Sequence, residues 1–128
     1  MNNETGEKIT NFTDLNAWKE AHAFALLVYT ITEQFPQKEI FSLTNQLRRA
    51  VVSIGSNIAE GFSRNSMKEK IHFYGIAQGS NTETQSQLIL SRDLKYLPEK
   101  EFDAAFNQSV VVHKLLNGLI KSSRNKLD

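Results

Sequence analysis

Hydrophobic and polar residues recur with a helical period in the middle of the chain. Between residues 40 and 62 the apolar positions follow steps of three or four: Ile40, Leu43, Leu47, Val51, Ile54, Ile58 and Phe62. Because successive residues of an α-helix are about 100° apart, these side chains form one stripe. The polar side chains fall on a separate arc of about 120°: Arg49, Ser53, Ser56, Asn57, Glu60, Ser63 and Arg64. The pattern predicts one amphipathic helix.

Gly55 lies at the border between the two faces of this helix. A glycine inside a helix costs about 1 kcal/mol relative to alanine. Close approach of another helix at Gly55 is a physical reason for accepting that cost.

An earlier helix is predicted from a cap at Thr13 and Asn16 to about Phe35. Its expected inward positions are Leu15, Trp18, His22, Ala25, Tyr29 and Thr32, widened by Phe24, Leu27, Val28 and Ile31. Pro36 disfavours helical geometry in the residue before it and suits the first turn of the next helix. We therefore expect the first two helices to meet at this proline.

Two further helices follow. Ser66 and Glu69 have the spacing of a capping box, and Met67, Ile71, Tyr74, Ala77, Leu88, Ser91 and Leu94 have core spacing. Residues 78–87, QGSNTETQSQ, contain no strongly apolar side chain, so the pattern leaves loop and helix equally open. Pro98 opens the last helix, whose expected inward positions are Phe102, Ala105, Phe106, Val110, His113, Leu116 and Ile120.

These elements predict an all-α protein, an antiparallel up-down four-helix bundle. The expected organisation is a flexible segment at residues 1–11, the bundle at residues 12–122 and a polar tail at residues 123–128. His22 and His113 lie on apolar stripes, which favours hydrogen-bonded core histidines over ligands. Trp18 and the phenylalanines follow core spacing and are interpreted as packing residues. A base-stacking platform would need exposed aromatic side chains beside basic ones.

Composition narrows the class of protein. The chain has 128 residues, 40% of them hydrophobic, and 15 basic against 14 acidic residues. This balance argues mildly against a dedicated nucleic-acid module. Cysteine is absent, which excludes disulfides and thiol chemistry. The start, MNNETGEKITN, lacks the apolar region of a signal peptide, and the apolar run AFALLVYTI is too short for a membrane span. We expect a cytoplasmic protein.

Basic side chains nevertheless form an expected cluster near one end of the second and third helices, at Arg48, Arg49, Arg64, Lys68 and Lys70. Arginine binds phosphates bidentately, so this set is the candidate nucleic-acid contact. Ser53, Ser56, Asn57 and Glu60 are the candidate polar seam between subunits, and a solvated helix face with a Glu60–Arg64 pair is the alternative. Symmetric assembly would repeat either patch.

The sequence gives little support for a catalytic site or a metal site. No nucleophile–base pair is visible, so we expect no enzyme and no cofactor. Glu69 and His72 form one Glu-x-x-His, half of the signature of a di-iron bundle. Since no second copy exists, no metal site is predicted.

Three stretches carry a likeness to a known family: DLNAWKEAH, FPQKEIFSLTNQLRRAVVSIGSNIAEGFSR and FYGIAQGSNTET. From about Phe12 to Lys121 the chain resembles the bacterial four helix bundle protein family, also called the ribosomal intervening-sequence protein family. The resemblance implies a four-helix bundle that forms a ring-shaped homopentamer. A related accessory protein of diversity-generating retroelements binds nucleic acid and a reverse transcriptase.

Two positions depart from the family's pattern. Gly55 replaces a usual proline, so the second helix is free to run straighter. Asn81 replaces a usual leucine, which leaves a subunit contact, a polar bundle layer and a loop open, although the resemblance favours continuous helix at residues 78–87. The function implied is an oligomeric accessory factor for RNA, DNA or a nucleoprotein. A protein–protein scaffold without nucleic-acid binding is the alternative.

Overall fold

The computed structural model describes residues 8–127, which form four long helices. α1 spans Asn16–Thr32, α2 Leu43–Ser63, α3 Met67–Asp93 and α4 Glu99–Arg124. Short 3₁₀ helices at Phe12–Asp14 and Gln37–Glu39 precede α1 and α2. Each long helix packs against the next, and α1 also packs against α4, which closes the bundle. The predicted all-α four-helix bundle is confirmed.

The core lies along the bundle axis and draws on all four helices. Its fully buried large side chains include Phe24, Val28, Leu47, Ile54, Ile58, Tyr74, Leu88, Val112 and Leu116. The stripe predicted for α2 is confirmed from Leu43 to Ile58, because that helix is unbroken across Gly55. None of the helices within residues 8–127 has an apolar stretch long enough to cross a membrane.

The cap predicted for α1 was wrong, and the predicted inward face is confirmed only in part, at Phe24, Val28, Ile31 and Thr32. Asn11 and Asp14 form a capping box on the 3₁₀ turn, and Leu15 is the N-cap of α1 without a side-chain hydrogen bond. The buried positions are Ala17, Ala21, Phe24, Val28, Ile31 and Thr32, whereas His22 and Tyr29 are exposed. Apolar residues occur on several sides of α1, so periodicity alone did not select the side that packs.

The connection between α1 and α2 is longer than predicted. α1 ends at Thr32 rather than near Phe35, and Pro36 precedes a 3₁₀ turn instead of opening α2. Phe35 itself is buried and packs against Tyr96, at 5.8 Å between ring centroids. Ile40, predicted for the core, is exposed because it precedes the first residue of α2.

Glu39 holds this connection in place. Its carboxylate accepts hydrogen bonds from the Ser42 hydroxyl at 2.6 Å, the Tyr96 hydroxyl at 2.9 Å and the Leu43 amide at 3.5 Å. These bonds, first that of Ser42 and then that of Tyr96, lower the pKa of Glu39. The connection before α2 is thus tied to the α3–α4 connection by one carboxylate.

Tyr96→Phe is expected to raise the pKa of Glu39 toward its ordinary value of 4.5, because one donor to the ionised form is lost. The lowered pKa stabilises the fold above pH 4.5 and that contribution is lost as the pH falls through the folded-state pKa, so the variant should lose less stability on acidification. NMR titration of the Glu39 carboxyl carbon tests this. An unchanged pKa would contradict the hydrogen bond, and Tyr29→Phe, whose hydroxyl lies elsewhere, is the control.

α3 is continuous through residues 78–87, which resolves the alternative that the pattern left open. Ser66 accepts a hydrogen bond from the Glu69 amide at 3.1 Å, which is one half of the predicted capping box. The buried middle of the helix is polar, and its members bond to backbone carbonyls. Asn81 Nδ2 donates to Ser109 O at 3.0 Å and Thr84 Oγ1 to Ser80 O at 2.8 Å. Asn81 therefore belongs to a polar layer inside the bundle.

Two glycines of α2 meet aromatic side chains in different ways. An added Cβ at Gly55 would lie 3.5 Å from Trp18 Nε1, an ordinary contact. At Gly61 it would lie 2.7 Å from Tyr74 Cε1 and 3.1 Å from Phe73 Cβ. The close approach that requires glycine is therefore at Gly61, where α3 crosses the end of α2, rather than at Gly55.

α4 begins directly after Pro98, as predicted. Its buried positions are Phe102, Ala105, Ser109, Val112, Leu116 and Ser123. The predicted core position of His113 was wrong, since this side chain is exposed and its Nε2 lies 3.1 Å from Asn117 Nδ2. α4 extends two residues past the boundary expected at residue 122. Most of the predicted N-terminal segment, residues 1–7, lies outside the described residues.

Candidate nucleic-acid interface

Arg48 connects α2 to α1. Its Nε donates to Thr32 Oγ1 at 2.9 Å and its Nη2 to the Tyr29 carbonyl at 3.4 Å. The guanidinium also lies 4.7 Å from the centroid of the Tyr29 ring, a cation–π distance. These contacts with the last turn of α1 give Arg48 a structural role in the fold.

Arg64 and Lys70 are engaged at the junction of α2 and α3. Arg64 pairs with Glu60 at 3.5 Å, as the i,i+4 spacing predicts, and its guanidinium lies 4.7 Å from the centroid of the Phe73 ring. Lys70 Nζ donates to the Phe62 carbonyl at 2.6 Å and to the Gly61 carbonyl at 3.4 Å. Those carbonyls are at the C-terminus of α2, where a cation is favourable. Burial lowers the pKa of Lys70.

The remaining two candidates, Arg49 and Lys68, are exposed, and neither joins the two ion pairs formed among residues 8–127. They are not neighbours. Arg49 lies in the second turn of α2 and Arg64 just past its end, about 22 Å apart at the rise of an α-helix. The five basic residues therefore divide between two ends of the bundle, which corrects the expectation of one cluster.

The four residues of the candidate polar seam also fall into two groups. Ser53 Oγ lies 2.9 Å from Ser80 Oγ on α3, and Asn57 Nδ2 donates to the Ser53 carbonyl at 2.8 Å. Ser53 therefore joins α2 to α3 within one chain, and Asn57 bonds to Ser53 inside α2. Ser56 and Glu60 remain exposed, so their role as a contact between subunits stays a prediction.

A polar groove of about 430 Å³ runs between α2 and α3 beside Arg49. It is lined by Phe41, Asn45, Gln46, Arg49, Ala50, Ser53, Ser80 and Glu83. Phe41 is 95% exposed at its edge. The interpretation of every phenylalanine as a packing residue was therefore wrong. Phe41 falls off the stripe of Leu43 and Leu47, and that offset was the available signal.

A second, largely apolar groove of about 520 Å³ lies between α1 and α2. Trp18 lines it, and His22 stacks on Trp18 with ring centroids 4.8 Å apart. His22 is exposed, which corrects its predicted place in the core. Leu26, Tyr29 and Val52 contribute further exposed apolar surface. This groove can bury an apolar partner.

Glu69 and His72 do not form part of a larger ligand set. Glu69 Oε2 accepts from the Ser66 hydroxyl at 3.2 Å, and the His72 ring packs edge-on to Phe73 at 5.3 Å. Within the described range, no three His, Cys, Asp or Glu side chains come together in a way that could hold a metal ion. Ser66 caps α3, and Glu69 lies in the first turn of that helix.

Comparison with known proteins places these features in a family context. A family model described as 23S rRNA-intervening sequence protein matches residues 13–118. A solved protein of unknown function from the S23 ribosomal protein family of Bacteroides thetaiotaomicron is 26% identical, with a TM-score of 0.75. The match covers 82% of this chain and 95% of the solved one. No curated protein matches the chain.

Proposed function

The chain belongs to the family of 23S rRNA-intervening sequence proteins, and from this membership we propose that it is a non-catalytic accessory protein that binds nucleic acid as a homo-oligomer. The observation that carries the proposal is Arg49, an exposed guanidinium in a groove with amide and hydroxyl side chains. Arginine with neutral donors is a typical phosphate-binding set. Because the family is named for ribosomal RNA, we propose that the protein acts in the cytoplasm.

The charge balance of the chain favours binding through a few individual cations. The net charge is only +1, so long-range attraction to a polyanion is weak. Arg48, Arg64 and Lys70 already contact groups of the fold itself, which leaves Arg49 and Lys68 as the proposed phosphate contacts. Each copy in an oligomer would add the same two cations, and that repetition compensates for the small number per chain.

The apolar α1–α2 groove supports the oligomeric part of the proposal. Leu26 is 60% exposed, and Tyr29 and Val52 lie on the same surface. Burying such a patch against another copy is favourable by about 25 cal/mol per Å² of apolar surface. The resemblance to the family implies a pentamer. Light scattering should then give a mass five times the 14.5 kDa of one chain. A monomeric mass would refute assembly.

A double variant tests the nucleic-acid contacts. Arg49→Gln with Lys68→Gln is expected to weaken binding to structured RNA and duplex DNA about tenfold or more at low salt, measured by fluorescence anisotropy. For a duplex, each lost phosphate contact should also reduce the slope of log K against log salt by about 0.9. The fold should remain, because both side chains are exposed.

Lys19→Gln with Arg124→Gln is the matched control, since it removes the same charge from exposed positions on α1 and α4. An equal loss in the control would refute the assignment to Arg49 and Lys68. No binding of either nucleic acid by the natural chain would refute the function itself. In that case the scaffold without nucleic-acid binding, supported by the apolar groove, would account for the surface.

A further inference from the structure

We propose that the α2–α3 groove is a site for single-stranded nucleic acid, in which Phe41 stacks on a base and Arg49 binds a neighbouring phosphate. This inference rests on the proposed function and specifies the ligand and the residues that contact it. Phe41 and Arg49 line the same groove, and both are exposed. An exposed aromatic ring beside a cation is the combination that proteins use to bind unpaired strands.

The exposure of Phe41 needs an explanation. Its side chain is 95% exposed, the largest exposed fraction among the large hydrophobic residues of the described chain. Neighbouring Leu43 is buried and Ile40 is 40% exposed, so the local backbone directs Phe41 away from the core. A phenylalanine ring at 95% exposure removes almost no apolar surface from water on folding. It offers an aromatic face to a ligand instead.

The backbone that carries Phe41 is held on both sides. The Ser42 amide donates to the Glu39 carbonyl at 3.0 Å, and the Ile40 amide donates to the Gln37 carbonyl at 3.2 Å. The Glu39 carboxylate adds the bonds to Ser42 and Tyr96 described above. A platform fixed in this way loses little conformational freedom when a base stacks on it, which favours binding.

The groove continues from the platform along α2. Asn45, Arg49 and Ser53 are spaced by four residues and lie on one face, with Gln46 beside them. About 9 Å of helix separates Leu43 from Arg49, the length of two to three stacked nucleotides. The amides of Asn45 and Gln46 lie between the platform and the guanidinium, where they can donate to the sugar–phosphate backbone of the strand.

The residues on the opposite wall of the groove favour one orientation of the bound nucleic-acid strand. Ser80 and Glu83 of α3 line it, and Glu83 also accepts a hydrogen bond from Gln87 at 3.3 Å. A carboxylate repels phosphate, so the sugar–phosphate backbone belongs on the α2 side, next to Arg49. The bases then face α3. A rigid duplex cannot turn one base onto Phe41 without unstacking it, which costs a few kcal/mol and makes an unpaired strand the preferred ligand.

The test compares a short fluorescein-labelled single strand of mixed sequence with its own duplex, by anisotropy with the full chain. Phe41→Ala should weaken single-strand binding about 5- to 100-fold while leaving duplex binding unchanged. Its salt slope should stay the same, because no charge is lost. Arg49→Ala should reduce that slope by about 0.7 for each copy of the site that holds a phosphate.

Phe41→Trp is the conservative variant and should restore binding. Stacking should also quench its tryptophan emission on titration with the single strand, beyond any change from Trp18 in the natural chain. Leu90→Ala, a truncation of an exposed apolar side chain on α3 outside both grooves, is the matched control and should bind as the natural chain does.

Three results would overturn the inference. One is unchanged single-strand binding by Phe41→Ala while the natural chain binds both probes, which leaves the proposed function standing. Another is that Phe41→Ala weakens binding to the single strand and to the duplex by the same factor. The last is a change of oligomeric mass in Phe41→Ala by light scattering, which would make Phe41 a contact between subunits. Absence of binding to either probe by the natural chain would instead refute the proposed function, and the inference with it.

Discussion

Asn81→Asp is expected to lower the free energy of unfolding by about 3–5 kcal/mol at neutral pH, the usual cost of an uncompensated buried charge. Asn81 is fully buried, and Asp has the same number of side-chain heavy atoms, so only charge and hydrogen bonding change. The Ser109 carbonyl, which now accepts from Asn81 Nδ2, would face an ionised carboxylate. Two acceptors without a proton repel each other.

The pH dependence identifies the cause. Burial raises the pKa of a carboxyl group above its unfolded value of about 4. The penalty is therefore present above that value and disappears as the pH falls to it, because the protonated carboxyl can donate to Ser109 O. Urea unfolding should be measured for the natural chain and for Asn81→Asp between neutral pH and about pH 4. The difference between their free energies of unfolding should become smaller as the pH falls. A difference independent of pH would contradict the burial of this group.

Asn81→Leu is the matched control at the same site. Leucine also has the same number of side-chain heavy atoms, and it removes Asn81 Oδ1, a buried oxygen with no partner among residues 8–127. An unpartnered buried polar atom costs about 1–3 kcal/mol. Ser109 lies inside α4, where its carbonyl keeps a helical donor. We expect leucine to raise the free energy of unfolding by about 1 kcal/mol.

Gly61→Ala is expected to lower the free energy of unfolding by about 1–3 kcal/mol through overpacking. The new Cβ would lie 2.7 Å from Tyr74 Cε1 and 2.9 Å from Tyr74 Cδ1. Tyr74 is fixed in the core at 2% exposure, so its ring cannot turn aside without moving α3. Chemical denaturation of the folded chain measures the loss.

Gly55→Ala is the control in the same helix, and its expected effect has the opposite sign. Its Cβ would make ordinary contact with Trp18 at 3.5 Å, and alanine is the better helix former. We expect a gain of about 0.5–1 kcal/mol. Equal gains in both variants would indicate that helix propensity, rather than the contact with Tyr74, decides the effect at Gly61.

The accuracy of the sequence-based predictions differed between helices for a physical reason. In α2 the apolar and polar residues occupy separate faces, so the period alone identified Leu47, Val51 and Ile54 as buried. In α1 alanine, leucine and valine occur on several sides, and more than one stripe fits. The packing of α2 and α4 decided which side is buried, and it left His22 and Tyr29 outside.

The candidate site was predicted less well than the fold. The sequence identified five basic residues but not the groups that three of them contact. Arg48 bonds to Thr32 from another helix, and Lys70 bonds to carbonyls at the end of α2. Whether a charge remains available to a ligand depends on such partners. Phe41 was missed because its exposure depends on the length of the connection that begins at Pro36.

Local residue patterns were sufficient to predict four helices and the buried side of α2, because helical periodicity is a local property of neighbouring residues. Three features became visible only in the folded chain: which cations stay exposed, how Asn81 is accommodated and where Phe41 points. Those outcomes depend on contacts between residues distant along the chain, such as Arg48 with Thr32, Asn81 with Ser109 and Glu39 with Tyr96. The packing of the helices and of their connections brings these pairs together.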